Sequence, residues 1–381
     1  MSAKQDIKNI SKNGNSLIVE WNDGEVSQFN FMWLRDNCPS GRHPDTRERS
    51  FNFLEVSEDI YPSAFAINKN AQLEIQWSEG NHTSYFDPTW LRKHCYTSLN
   101  KKKYVSPYVL WDGSLGKNIS SVSMEYNEVM QNEVGLARWI DLLHTHGVCI
   151  IKNAPIEKQS GFKILNKISH TRETFFKTPF EVINIPKKPN NTAYTADGLR
   201  NHVDLPYFES PPGYQFLHCL INDAKGGMSA AVDGFKVADY LKANEPDIFN
   251  LLKRVMVKFQ NDDYTQDSTM VYHAPMISLT KDGDYNDIRF SVATMGALDC
   301  QPEDMDKFYR AYRKFAELIH SDQFNVHFRL EPGDIFGFNN RRVLHGRTEF
   351  DPNSGRRHLQ GYYIDRAEII GRLNFFKKQE L

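Results

Sequence analysis

Apolar residues in this sequence come only in short runs, none of them long enough to span a bilayer, and the opening MSAKQDIKNI lacks the apolar core of a secretory leader. Membrane insertion and export are therefore not expected, and a cytoplasmic protein is. Cysteine is scarce: Cys38, Cys95, Cys149, Cys219 and Cys300 are odd in number and widely dispersed, which fits reduced thiols better than a disulfide framework. An excess of one charge is missing too. With 46 basic against 48 acidic residues and no basic block, nothing marks a nucleic-acid or membrane-surface footprint. What is present is 381 residues, 40% hydrophobic and 13% aromatic, enough to bury a sizeable core in two domains.

Near the N-terminus, SLIVEWNDGEVSQFNFMWLRDNC (16–38) and QLEIQWSEGNHTSYFDPTWLRKHC (72–95) repeat one another. Each runs through apolar alternation, a Trp, a Gly turn and a second alternating strand before Trp-Leu-Arg and Cys. The turns NDG and SEG predict two hairpins, each followed by a helical turn carrying Trp33 or Trp90 into a shared core. A small β-rich domain is expected over residues 1–105, a polar linker over 106–128 and one long domain over 129–381. In the long domain, Leu136, Trp139, Ile140 and Leu143 have helical spacing ending at Gly147, and VCIIKN reads as a buried strand. YQFLHCLI, IRFSVAT, GDIFGFNN and RHLQGYYID read as further strands, with helices near 235–258 and 302–321. The fold class expected is mainly β with helices, a sandwich or jelly roll.

Three His-x-Asp pairs occur, His43–Asp45, His202–Asp204 and His320–Asp322, where about one or two are expected by chance. In a strand such a pair points an imidazole and a carboxylate to one face. A third ligand from elsewhere would complete the two-histidine, one-carboxylate set that leaves positions open on non-haem Fe(II) for a bidentate cosubstrate and O2. Only His202–Asp204 has the needed company: His345 follows the strand-like GDIFGFNN, and Arg357 comes twelve residues later. An Arg fork suits the distal carboxylate of 2-oxoglutarate, and the Ser229 hydroxyl could join it. By contrast, His43–Asp45 lies in a Pro- and Arg-rich loop, and His320–Asp322 ends a helix.

With these residues in place, the chain resembles the γ-butyrobetaine dioxygenase-like Fe(II)/2-oxoglutarate oxygenases of the taurine-dioxygenase-like superfamily. The resemblance rests on WLRDNC, NTAYT, HVDLPY, PPGYQFLHC, GGMSAAVDGF, EPGDIFGFNNRRVLHGR and RRHLQGYYID, spread over almost the whole chain. It implies a distorted double-stranded β-helix with iron on His202, Asp204 and His345. It also implies 2-oxoglutarate on Arg357 near Ser229 and Leu217, and hydroxylation of an unactivated C–H bond with O2 as oxidant and succinate and CO2 as co-products. The expected substrate is a small quaternary-ammonium compound, γ-butyrobetaine first, with trimethyllysine or a trimethylaminoalkyl phosphonate as alternatives. Carried over by position, the aromatic cage for its trimethylammonium head is Phe176, Phe180, Tyr194 and Tyr363. A cation unable to donate hydrogen bonds needs π faces of this kind. Asn191 falls near the expected substrate carboxylate. IRFSVATMG lacks the Asn-rich sequence of relatives there, so Tyr207 and Arg289 are candidates to compensate.

The resemblance further implies a homodimer and, in many relatives, an N-terminal zinc held by three cysteines and a histidine. Here Ser40 replaces one ligand, leaving Cys38, His43 and His82, and both a zinc-bound and a metal-free domain remain open. Two other function classes stay open beside the oxygenase: a zinc hydrolase using the same three ligands, and a silent quaternary-ammonium binder.

Overall fold

The N-terminal repeat is structural down to single hydrogen bonds. The first copy is the antiparallel sheet Ile7–Asn13, Ser16–Trp21, Val26–Asn30 followed by the helix Phe31–Asp36. The second is Pro62–Ile67, Leu73–Trp77, Thr83–Phe86 and the helix Pro88–His94. Gly24 and Gly80 both turn at φ +83, a conformation that disfavours any side chain. Asn30 and Asp87 cap the two helices by accepting from the backbone N–H of Trp33 and Trp90. Trp21 Nε1 donates to Ser27 Oγ at 2.8 Å, and Trp77 Nε1 to Ser84 Oγ at 2.9 Å. These two tryptophans are buried with Leu17, Val19, Phe29 and Leu34 of one copy and Leu73, Ile75, Phe86 and Leu91 of the other. Trp33 and Trp90, expected in the centre, lie at the rim with ring centroids 5.7 Å apart. The reason is helical spacing: Phe31 and Leu34, three residues apart, take the inward face and leave Trp33 on the flank.

The computed structural model describes residues 6–97, 107–184, 195–263 and 267–379, divided between units spanning 1–103 and 104–381. The expected linker is in its larger part built into the second unit. Trp111 and Val122 are buried there, and Gly113–Val122 is 3-10 helix.

Two sheets face each other in the second unit. One has the order Leu199–His202, Val343–Arg347, Ser229–Asp233, Asn325–Phe328. The other runs Ser123–Glu125, Val148–Lys152, Ile335–Asn339, Tyr214–Asn222, Arg357–Ile364, Phe180–Ile183. Alternation decides what lies between them. Val148, Ile150, Cys219, Phe336, Phe338 and Leu359 turn inward onto Ala231, Val326 and Val343. Cys149, Ile151, Tyr214, Phe216 and Tyr362 turn outward under the helix Glu133–Thr145 and the C-terminal helix Arg366–Gln379. Leu136, Trp139, Ile140 and Leu143 form the buried stripe of the first helix as their spacing predicts. Fully burying such a side chain contributes roughly 1.5–3 kcal/mol. Helices Gly234–Asn244, Pro246–Arg254 and Pro302–Ile319 enclose the third core. This is the jelly-roll class expected.

One expected strand is mostly absent. IRFSVAT leaves its ladder at Ile288, and Val292–Thr294 is a turn of 3-10 helix. Arg289 is the cause: buried beside Asp287, it donates to the backbone oxygens of Pro206, Phe208 and Glu209, drawing the chain away from strand pairing.

Candidate active site

Strand pairing brings the three proposed metal ligands together. His202 ends the Leu199–His202 strand, and its Cα partner across the ladder is His345. Their rings are 4.4 Å apart. Asp204 follows after one residue, with Oδ1 3.1 Å from His202 Nε2 and 3.6 Å from His345 Nε2. Among the described residues this is the one cluster of three metal-capable side chains, every donor within 4.8 Å of the others. His202 Nδ1 donates to the Arg200 carbonyl at 2.9 Å, which leaves Nε2 for an ion. Burial, followed by the charge of His202, pushes His345 down to about 3, so it is neutral and ready to ligate at neutral pH. Burial alone would raise the Asp204 carboxyl. The opposing pull of His345, His202 and the Tyr363 hydroxyl wins and holds it below the usual carboxylate range.

Support for Asp204 comes from Asn340, which the sequence did not single out, and from Tyr363 and Arg289, in roles other than those expected of them. Asn340, fully buried, accepts from the Asp204 N–H at 2.8 Å and donates to its carbonyl at 3.0 Å. Tyr363 donates to Asp204 Oδ2 at 2.6 Å, which leaves Oδ1 facing the histidines. The next residue, Leu205, sits at φ +54, a conformation costly for a branched side chain. The three carbonyls gripped by Arg289 keep that turn in place. Arg289 is thus committed to the protein and not free for a substrate anion. Tyr207 is buried edge-on against Phe208, its hydroxyl pushed above its usual range by burial and Asp204.

At the other end of the sandwich Arg357 opens the Arg357–Ile364 strand. Its guanidinium lies over Phe350 at 5.7 Å, and Arg347 covers the same ring at 5.0 Å while donating to the Thr195 and Asp197 carbonyls. Burial, with Arg347 nearby, pushes Arg357 down to about 10. Its Nε is buried with no hydrogen-bond partner, and it forms no ion pair among the described residues. A buried cation in that condition calls for an anion. Gly227, at φ +67, leaves room for it: a Cβ there would stand 3.2 Å from Nε. Ser229 is buried on the inward face with Ala231, and Leu217 packs against the same core.

Of the expected cage, Phe180 stacks on Tyr363 at 5.0 Å, and Phe176 lies 6.4 Å from Phe180. Because Phe180 and Tyr363 already stack on each other, a cation would meet their outer faces. Phe175, which the sequence did not single out, adds a ring 4.2 Å from Phe176. Tyr194 and Asn191 lie outside the described residues. In the N-terminal unit, His82 Nε2 is 3.3 Å from Cys38 Sγ, but His43 does not join them. Its Nδ1 accepts from the N–H groups of Asp45 and Thr46 in its own turn.

Comparison with known proteins agrees with this geometry. Residues 112–363 match the taurine catabolism dioxygenase TauD, TfdA family, and residues 8–92 match the γ-butyrobetaine hydroxylase-like N-terminal family. The chain is a TauD, TfdA family dioxygenase. The dioxygenase is 38% identical over 360 residues to γ-butyrobetaine dioxygenase of Pseudomonas sp. strain AK-1, covering 93% of this chain and 92% of that one. It is 28% identical over 392 residues to trimethyllysine dioxygenase of Meyerozyma guilliermondii, covering 97% and 95%. A putative α-ketoglutarate-dependent taurine dioxygenase from Burkholderia xenovorans shares the fold, with a TM-score of 0.50 at 13% identity over 68% of this chain and 91% of that one. The enzyme is thus an Fe(II)- and 2-oxoglutarate-dependent dioxygenase, and its trio of two nitrogens and one oxygen fits that metal. No helix among the described residues is long and apolar enough to cross a membrane.

Proposed function

We propose that this dioxygenase hydroxylates a small trimethylammonium substrate, γ-butyrobetaine to carnitine being the leading reaction. The observation that carries the proposal is the placing of Tyr363, which touches Asp204 through its hydroxyl and Phe180 through its ring, so that an aromatic surface adjoins the metal ligands. Likeness to γ-butyrobetaine and trimethyllysine dioxygenases supports the same substrate class. In this reading His202, Asp204 and His345 hold Fe(II), and Arg357 with Ser229 holds the distal carboxylate of 2-oxoglutarate beside Leu217. Phe176, Phe180 and Tyr363 meet the cation. Iron with 2-oxoglutarate supplies the oxidation: O2 gives one oxygen atom to the C–H bond and one to succinate, with CO2 released. The chain's own part is to orient the substrate, exclude water and turn Nε2 of both histidines toward Asp204, where the metal would sit. A cytoplasmic homodimer belongs to the same reading.

The test is O2-dependent succinate formation with a panel of γ-butyrobetaine, trimethyllysine and a trimethylaminoalkyl phosphonate. Stimulation by γ-butyrobetaine, abolished in His202→Ala and Arg357→Ala, is expected. Succinate formation indifferent to every quaternary amine would sink the substrate class and spare the cofactors. Turnover that persists without O2 and survives Arg357→Ala would point to a hydrolase instead.

A further inference from the structure

We propose that Gln215 is a binding residue of the active site, its carboxamide hydrogen-bonding the metal-chelating carboxylate of 2-oxoglutarate. The proposal rests on the cosubstrate reading above.

Gln215 lies on the Tyr214–Asn222 strand. Its neighbours Tyr214 and Phe216 pack outward with Trp139, whereas Leu217 and Cys219 belong to the core between the sheets. Alternation therefore turns Gln215 inward. Its Cα partners on the two flanking strands are Phe338 and Tyr363. Both touch the proposed metal ligands: the Phe338 ring is 4.6 Å from the His345 ring, and the Tyr363 hydroxyl is 2.6 Å from Asp204 Oδ2. Gln215 is thus next to the two side chains that line the metal end of the sandwich.

Its condition there is unusual. The residue is only 2% exposed, and its Oε1 has no hydrogen-bond partner. A buried carboxamide left incomplete destabilises a fold, and Leu or Met would fill the same space without that cost. Tyr363 has given its one proton to Asp204 and cannot complete it. A ligand can.

The ladder gives the direction. On the strand pair, Asn222 stands opposite Arg357 and Gln215 opposite Tyr363. The inner face therefore runs from the unpaired guanidinium to the metal ligands. A keto-diacid with its distal carboxylate on Arg357 points its 2-oxo carboxylate toward the Gln215 end. That carboxylate only accepts, and a half-turn of the terminal amide offers it the NH2 group.

The experiment measures 2-oxoglutarate binding to Mn(II)-loaded protein by calorimetry, together with Mn(II) affinity and the melting temperature of the metal-free chain. Gln215→Leu and Gln215→Met are compared with wild type and with Arg357→Ala. The expected result for both Gln215 variants is 2-oxoglutarate binding weakened on the order of 10- to 100-fold, as for a lost hydrogen bond to a charged group. Mn(II) affinity should hold and the melting temperature should not fall. Unchanged 2-oxoglutarate affinity, alongside its loss in Arg357→Ala, overturns the proposal and leaves the cosubstrate reading intact. Wild type that fails to bind 2-oxoglutarate overturns both. Weaker Mn(II) binding with normal 2-oxoglutarate binding at saturating metal also overturns it, because Gln215 would then serve His345, whose Nδ1 is likewise buried without a partner. Misfolding of both variants counts against it too, by making the carboxamide structural.

Discussion

Asp204 is held at three of its atoms by two residues, Asn340 on the backbone and Tyr363 on the carboxylate. Hydrogen bonds of this kind orient a metal ligand, and losing one weakens metal binding about 10- to 100-fold. Tyr363→Phe should therefore lower Fe(II) affinity by that amount while keeping its aromatic face and the KM for the quaternary amine. Anaerobic Fe(II) titration beside substrate kinetics checks both halves, and an unchanged Fe(II) affinity would sink the role given to the hydroxyl. The grouping of His202, Asp204 and His345 was legible in the sequence because few residue types ligate iron, although Asp204 lies just past the end of the strand that His202 closes. Asn340 and the structural role of Arg289 were not, since the backbone atoms they hold approach them only in the folded chain.

The Phe180–Ile183 strand is an edge strand carrying Phe180 inward, and its outer side is tied down by Glu181, which accepts from His358 and from Gln360 at 2.9 Å. Burial would raise the Glu181 carboxyl, but these bonds outweigh it and hold it below its usual value. A carboxyl lowered on folding stabilises the protein above its unfolded pKa of about 4.3, and that stability disappears as pH falls through the lower folded value. Glu181→Gln should thus cost stability near neutral pH, and the gap from wild type should close in acid. Denaturant midpoints across that range would show it, and a gap that widens in acid would refute the assignment. Opposite Phe180 stands Gly361, where a Cβ would fall 2.0 Å from the Phe180 ring. Gly361→Ala should displace that ring and raise the KM for the quaternary amine more than that for 2-oxoglutarate, as steady-state kinetics would reveal. An equal rise in both would mean general distortion. Element types followed well from periodicity for Tyr214–Asn222 and Glu133–Thr145, whereas IRFSVAT misled because one buried Arg outweighed its alternation.

For the molecule as a whole, the second unit is pinned at a fully buried ion pair. Arg342 Nη2 is 2.7 Å from Asp233 Oδ2 with neither side chain exposed, and the same guanidinium donates to the Thr145 and Val109 carbonyls. Asp233 also caps the helix Gly234–Asn244. Removing one partner of such a pair leaves an uncompensated charge, so Arg342→Met should cost about 3–5 kcal/mol of unfolding free energy in denaturant titration. A loss within experimental error would contradict this. The polar stretch 106–128 reads as a linker in the sequence, but Trp111 within it is buried in the second unit, a burial that a short polar stretch hides. Tyr363 has the widest consequence for how such an enzyme changes over time. On the proposed reading one residue serves both metal retention and cation contact, so drift toward a new amine would be penalised there and freer at Phe176, whose exchange would leave the iron untouched. Divergent members of the lineage should therefore vary first at the Phe176 side of the box, with the tyrosine as its fixed wall.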